Sequence, residues 1–331
     1  MKIQLSGNGN GILMPEKKFF PLIIMCVIGV FASCKKEITT TTEAVMSAHE
    51  SSNAVAATTN FGVLISGNTN IDDEIIVCEK LDVNYVRYAI TLKDFTGTDK
   101  GYEKWVDAGY TVLLNLNYNN VSNVSGKKSP VPFPTDMVEY KKLLEKVLDK
   151  YKPEIAVIEN EPTTDQFHSG PIENYITELR TAVDVCNKRG IKVADGAIHV
   201  GYLTQVMNGW ATEGNALETK KLIQAYKTIN MTYVNTHVKS PFGNNQNKYP
   251  DGTLEDYANY LRTETGKPVI CNEYNQHNTS TTLMTGTIGG YENADFKYVI
   301  ARSGSGDQDG ASLNKGTNLT ALGIAYRDAI K

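Results

Sequence analysis

From Phe61 to the C-terminus, short runs of β-branched and aromatic residues alternate with stretches whose apolar residues recur every three or four positions. The short runs predict strands at 61–66, 85–90, 111–117, 155–161, 192–198, 233–238, 268–273 and 296–301. The stretches between them read as helices. Ile71, Ile75, Cys78 and Leu81 share one face; Tyr102, Trp105 and Val106 share another, with Gly109 as a stop. Asp136 and Glu139 form a capped start, followed by Tyr140, Leu144, Val147 and Tyr151 on one side and ended by Pro153. A long helix from Ile172 closes at Gly190, Thr253 caps a helix that closes near Gly266, and Leu319, Leu322, Ile324, Ala325 and Ile330 form a last one.

Strands that alternate with helices imply a parallel sheet. Eight such units from Phe61 onward fit a closed α/β (β/α)8 TIM barrel, which takes about 250 residues. An open doubly wound sheet is the competing architecture. It lacks support, because no G-x-G-x-x-G follows the first strand and no phosphate-binding loop occurs elsewhere.

The segment ahead of Phe61 follows a different pattern. Lys17 and Lys18 precede an apolar run, 19–32, that ends in Ser33-Cys34, the layout of an export signal. A Cys directly after Phe-Ala-Ser resembles the bacterial lipoprotein box, which implies cleavage before Cys34 and its acylation. Residues 1–34 are therefore read as a lipoprotein signal peptide, with Met14 as an alternative start. The Thr, Ser and Ala-rich segment 35–60 has no apolar period and reads as a flexible tether. Together they place the folded part, 61–331, in the cell envelope, at the outer membrane or cell surface, touching the membrane only through its lipid.

Composition narrows the functional classes. The 331 residues carry 33 Lys+Arg and 37 Asp+Glu, a formal net charge of −4, and are 41% apolar and 21% charged. That balance excludes a disordered chain and a polytopic membrane protein, and offers no basic footprint for nucleic acid. Of five cysteines, Cys78, Cys186 and Cys271 lie beyond the leader, an odd number without zinc spacing, so no structural disulfide is expected. The five histidines are scattered without H-E-x-x-H; no metal and no cofactor is expected, and the folded part is read as a monomer.

In a (β/α)8 barrel the chemistry lies at the C-terminal strand ends. Strand four ends Ile158-Glu159-Asn160-Glu161-Pro162, and strand seven ends Ile270-Cys271-Asn272-Glu273-Tyr274. Two carboxylates thus reach one cup from different parts of the rim, as retaining glycoside hydrolysis requires. Strict alternation puts Glu159 on the same face as Glu161, so Glu159 is either paired inside the barrel or re-aimed by a bulge, and is a second acid candidate.

These residues resemble the signature of clan A of the glycoside hydrolases: Asn160-Glu161-Pro162 on strand four and Glu273 on strand seven. The resemblance implies Glu161 as acid/base and Glu273 as nucleophile, acting by double displacement on β-glycosidic bonds of a poly- or oligosaccharide. It implies Asn160 on the sugar 2-hydroxyl, Arg87 holding the nucleophile and His237 on the substrate side. Glu161 is expected to carry a raised pKa, from burial and from ionised Glu273. Asn115 and Asn117 either bind sugar hydroxyls or cap their loop; Trp210 either stacks on a sugar or packs a loop. Strand eight, Tyr298 to Ser303, has no Trp where many clan members carry one, and the Tyr usual after the strand-six His is absent, with Phe242 and Tyr249 as substitutes. The stretches 121–135, 201–215 and 304–316 are expected to shape the cleft. A glycan-binding barrel without turnover, also lipid-anchored, is the alternative, and an anchored scaffold a third.

Overall fold

The computed structural model describes residues 59–66, 70–121, 123–124, 127–239, 252–304 and 311–331. The expected signal peptide with Cys34, the tether up to residue 58, and Phe242 and Tyr249 lie outside the described residues.

In chain order the main elements are β1 (Asn60–Ser66), α1 (Ile71–Leu81), β2 (Tyr85–Thr91), α2 (Lys100–Asp107), β3 (Thr111–Asn117), α3 (Met137–Tyr151), β4 (Ile155–Ile158) and α4 (Ile172–Asn187). Then β5 runs in two pieces, Lys192–Asp195 and Ile198–His199. It is followed by α5 (Val200–Met207), α6 (Gly214–Tyr226), β6 (Val234–Lys239), α7 (Leu254–Thr265), β7 (Val269–Asn275), α8 (Thr281–Asn293), β8 (Tyr298–Gly304) and α9 (Ala321–Ala329). Every pairing in the main sheet is parallel. β8 pairs with β1, and the order continues β2, β3, β4 and the first piece of β5; the second piece pairs with β6, then β7 and back to β8. A parallel bridge from Ala194 to Tyr233 closes the ring at the break in β5. The expected (β/α)8 barrel is the observed fold.

Local chemistry sets the helix ends. The Asp136 carboxylate accepts from the Val138 and Glu139 N–H groups at 2.9 and 3.1 Å, filling donors that the first turn leaves open. Thr253 and Asp256 cap α7 reciprocally, and Gly266 closes it with φ at +71°. Trp105 is buried as expected, whereas Val106 is 47% exposed because α2 is only two turns long and turns that side to solvent.

Two cores result. One fills the space between sheet and helices and includes Val77, Leu81, Leu144, Leu148 and Leu179. The other fills the barrel: Leu113, Ile155, Val157, Ala194, Tyr233, Ile270, Tyr298 and Ile300, with Leu64 and Tyr85. Cys78, Cys186 and Cys271 are buried free thiols. Above the inner apolar layers the period-two column turns polar on several strands at once. Leu113 is followed by Asn115 and Asn117, Tyr233 by Asn235 and His237, Ile270 by Asn272, Ile300 by Arg302, and Tyr85 by Arg87. That change of character marks the floor of the cup.

Two strands depart from regular geometry where they reach the cup. β4 ends at Ile158, three residues earlier than the spacing predicts, because Glu159 and Glu161 take left-handed backbone angles (φ +66° and +45°). β7 carries one extra residue. Asn235 and His237 on β6 oppose Ile270 and Glu273, and Val299 and Ala301 on β8 oppose Cys271 and Tyr274. Such a bulge turns consecutive residues toward the same side, so Asn272 and Glu273 both enter the cup. The stretch 201–215, expected as a cleft loop, is largely helical: it holds most of α5 and the start of α6. Among the described residues no helix is long and apolar enough to cross a membrane.

Candidate active site

The cup opens into a cavity of about 280 Å³, lined by Leu64, Arg87, Thr91, Asn117, Asn119, Asn120, Val121, Glu159, Asn160, Phe167, His168, Glu273 and Arg302. A second, of about 130 Å³, is lined by Pro162 to Asp165, His168 to Gly170, Gly214, Asn215 and Glu218. His168 belongs to both walls. Its ring stacks on Phe133 at 4.5 Å, and burial pushes its pKa down to about 4, so it is neutral near pH 7.

Arg87 organises the floor. Its Nη1 donates to Glu273 Oε2 at 2.6 Å and to the Asn272 carbonyl at 3.2 Å. Nη2 donates to Asn160 Oδ1 at 2.6 Å, and Nε donates to Asn115 Oδ1 at 3.0 Å. One guanidinium therefore ties the ends of β2, β3, β4 and β7, which a fork of five donors can do and an ammonium cannot. Arg302 adds a second cation, its Nη1 at 3.6 Å from Glu273 Oε1. Burial alone would raise the Glu273 pKa. The charges of Arg87, His237 and Arg302 outweigh burial and the repulsion of Glu161, and hold the carboxyl below its usual range. Its side chain keeps 15% exposure, toward the cavity.

Glu161 is placed differently. It lies in the partition between the cavities: Asn160 before it faces the larger one and Pro162 after it the smaller. Its side chain is only 4% exposed and lines neither, and its Oε1 lies 2.8 Å from His237 Nδ1. The left-handed turn that places it is anchored by its N–H, which donates to the Gly196 carbonyl at 2.6 Å. Gly196 has no room for a side chain, since a Cβ there would lie 2.6 Å from the Ile158 carbonyl oxygen. The raised pKa expected for Glu161 is not observed. Burial does push it up, but the hydrogen bond and charge of His237, aided by the charge of Lys239, push it well below the ordinary carboxylate range. His237 itself is 1% exposed and engages the carboxylate, not the cavity where a substrate-side role would put it.

Glu159 is buried at the wall of the larger cavity. Its Oε1 accepts from the Tyr118 N–H at 2.6 Å, and its Oε2 lies 3.7 Å from His168 Nε2. Glu178 on α4 is fully buried nearby; burial and the charge of Glu159 raise its pKa well above the usual range, and burial raises that of Glu159 too. Of the two alternatives for Glu159, internal pairing is the one found; in place of a bulge near Asn160, the strand ends at Ile158 and a left-handed turn follows.

Of the other expected site residues, Asn117 lines the cavity, while Asn115 is committed to Arg87, to the Glu159 carbonyl and to Asn272. Trp210 stands half exposed (50%) in the turn after α5 and lines neither cavity, so a sugar-stacking place in the cup is not where the fold puts it. Its own N–H closes the α5 turn onto the Gln205 carbonyl at 2.8 Å. Arg302, Asn272, Asn235 and His168 also belong to the site and are not among the residues singled out by strand-end position. For the first three a signal existed: each continues the inward period-two column of its strand. His168 lies in a loop and had none. Among the described residues no group of three or more His, Cys, Asp or Glu side chains is placed to hold a metal.

No family model matches the chain, and no curated protein matches it. Solved structures do. A GH128 subgroup I endo-β-1,3-glucanase from Amycolatopsis mediterranei superposes with a TM-score of 0.51 at 13% identity, over 82% of this chain and 99% of that one. A GH128 subgroup II endo-β-1,3-glucanase from Sorangium cellulosum gives 0.52 at 13% identity, over 82% and 98%. A β-mannanase from Thermomonospora fusca gives 0.51 at 12% identity, over 82% and 89%. At such identities the likeness is one of fold: this chain has the (β/α)8 barrel that these glycoside hydrolases share.

Proposed function

We propose that the protein is a retaining glycoside hydrolase that cleaves β-glycosidic bonds in a poly- or oligosaccharide. The observation that carries the reading is Glu273. It is a carboxylate held ionised on the floor of a cavity by Arg87, and the same guanidinium grips Asn160, next to the second carboxylate, Glu161. Glu273 attacks the anomeric carbon. Glu161 protonates the departing oxygen and then takes a proton from the water that releases the sugar. Asn160 and Asn117 on the cavity wall bind hydroxyls. The chain's export signal and acylated Cys34 would hold this activity in the cell envelope, on a tether that keeps it clear of the membrane surface.

A non-catalytic glycan-binding barrel is the second reading, and one observation favours it: Glu161 is covered and held in its ionised form. Turnover decides between them. The full chain is assayed for reducing-sugar release on a panel of β-linked glucans, mannans and xylans, beside Glu161→Ala and Glu273→Ala. NMR of the first-formed product reads the anomeric configuration. β-Configured product from the parent and loss of turnover in Glu273→Ala support the reading. α-Configured product sinks the retaining route, and bound glycan without turnover establishes the binding barrel.

A further inference from the structure

Behind the two carboxylates lies a buried chain of amides whose orientation can be solved from its ends. Arg87 Nε is always a donor, so the Asn115 atom it meets at 3.0 Å is the oxygen. Asn272 approaches that same oxygen at 2.9 Å and must present its NH2 group there. The other end gives the same answer independently. The Asn272 backbone N–H donates to Asn235 Oδ1 at 3.0 Å, so Asn235 turns its NH2 toward Asn272, 2.7 Å away. The Asn272 side-chain oxygen is thereby fixed from both sides. It lies 2.7 Å from His237 Nε2 in a region where Asn235 and Asn272 are fully buried and His237 is 1% exposed. Two acceptors that close, away from water, would repel. Nε2 must therefore carry a proton.

We propose that Asn272 is a positioning residue that locks His237 with its proton on Nε2, so that its Nδ1 edge and Glu161 Oε1 always share one proton. When Glu161 is ionised, Nδ1 carries that proton and the ring is an imidazolium. The carboxylate's other oxygen, Oε2, with the Thr164 hydroxyl at 3.4 Å, is then the one that exchanges the catalytic proton. It gives the proton to the departing oxygen as the C–O bond breaks. It recovers one from water as the hydroxide adds to the anomeric carbon, and His237 keeps both of its protons throughout. The consequence for catalysis rests on the hydrolase reading; the protonation of Nε2 does not.

The charge that Glu161 meets comes from several elements. Lys239 at the end of β6 is a cation, and Glu273 on β7 is an anion balanced by Arg87 and Arg302. His199 beside β5 and His168 beyond β4 are kept neutral near pH 7 by burial. Among these groups His237 is the one in direct contact with the Glu161 carboxylate, at 2.8 Å.

The tautomer is read directly by 15N NMR on the full chain labelled at histidine, with the His237 signals assigned from His237→Gln. A protonated Nε2 from pH 5 to 8 is expected; a neutral ring protonated on Nδ1 alone overturns the proposal. The second measurement is the pH profile of kcat/KM for Asn272→Ala. Without its lock the imidazolium is less stable, burial of Glu161 is less opposed, and the alkaline limb moves up by about one pH unit. A profile lowered at every pH with an unmoved limb assigns Asn272 a structural role only and overturns the coupling. If the parent shows no turnover at all, the hydrolase reading fails, and the NMR result still decides the tautomer.

Discussion

The two carboxylates of the cup are buried by opposite means. Glu273 faces permanent cations: Arg87 at 2.6 Å and Arg302 at 3.6 Å. Glu161 faces a buried histidine, His237, at 2.8 Å. The backbone differs as well. Glu273 is aimed by a bulge within a continuing strand, whereas Glu161 is aimed by a left-handed turn after its strand has ended. In the proposed reaction Glu273 must be ionised when it attacks and when water releases it, and a fixed guanidinium favours that form. Glu161, as the proposed acid/base, must gain and lose a proton in each cycle, and its Oε2, beside the Thr164 hydroxyl at 3.4 Å rather than His237, is the oxygen that does so. The contrast teaches that what surrounds each carboxylate, more than its place at a strand end, assigns its task.

Breaking the Glu273 side should have the largest effect. In Arg87→Leu the carboxylate, Asn160 and Asn115 all lose a buried donor, and removing one partner of a buried pair costs about 3–5 kcal/mol. Urea unfolding should show that loss, together with a sharp fall in turnover. Equal stability of variant and parent would mean that the Glu161 side, not Arg87, holds the cup together.

Gly196→Ala strikes the other side. The added methyl meets the Ile158 carbonyl at 2.6 Å and must displace the turn that carries Glu161, at a cost of about 1–3 kcal/mol. Turnover of substrates with poor leaving groups should fall most, since they need the acid. Covalent trapping by a 2-fluoroglycoside with a good leaving group, which asks little beyond Glu273, should persist. Equal loss of both would show that the two sides are mechanically one.

A third prediction concerns pH and stability. Glu178, Glu159 and Asp195 have folded-state pKa values above their unfolded ones, chiefly because of burial, with Asp195 at about 7. Between the unfolded and folded values the native state binds more protons than the unfolded one, so stability is lost as pH rises. Glu161 and Glu273 act in the other sense and withdraw stability as pH falls below the usual carboxylate range. The unfolding free energy should therefore peak near pH 5 and decline toward pH 8, each raised group contributing up to about 1.4 kcal/mol per pH unit. Glu178→Gln should flatten the decline; an unchanged slope would place the proton elsewhere.

The smallest effect is expected for Arg302→Gln. Arg302 is a third exposed and farther from Glu273 than Arg87 is, so the acid limb of the rate profile should rise by less than about one pH unit. A larger rise would make Arg302 an equal partner in ionising the nucleophile.

Much of this molecule could be read along the chain. β3 falls on the expected residues, and β1, β2, β6, β7 and β8 begin or end within a few residues of expectation, because their apolar runs are bounded by Gly, Pro and polar turns. Glu161 and Glu273 could be picked out because a parallel barrel puts its chemistry at strand C-termini, and Arg87 and Asn160 because the resemblance to the clan implies them. β4 ends three residues before its expected limit, because a left-handed turn of non-glycine residues leaves no mark in composition. Trp210 is singled out by residue type and His237 by its strand-end position and the resemblance, and neither tells a cavity wall from a turn or a buried pair.

The sequence by itself determined the alternation, hence the barrel, and the presence of carboxylates at two of its strand ends. Period and propensity are local, and they survive without a partner. Only the tertiary structure decided which carboxylate is open, which is covered and which proton each can hold. The groups responsible are distant in sequence: Arg87 lies 186 residues from Glu273, His237 lies 76 from Glu161, and Asn115 lies 157 from Asn272. Charge and hydrogen bonding act through space, and the closure of eight strands is what brings these groups within 3 Å of one another.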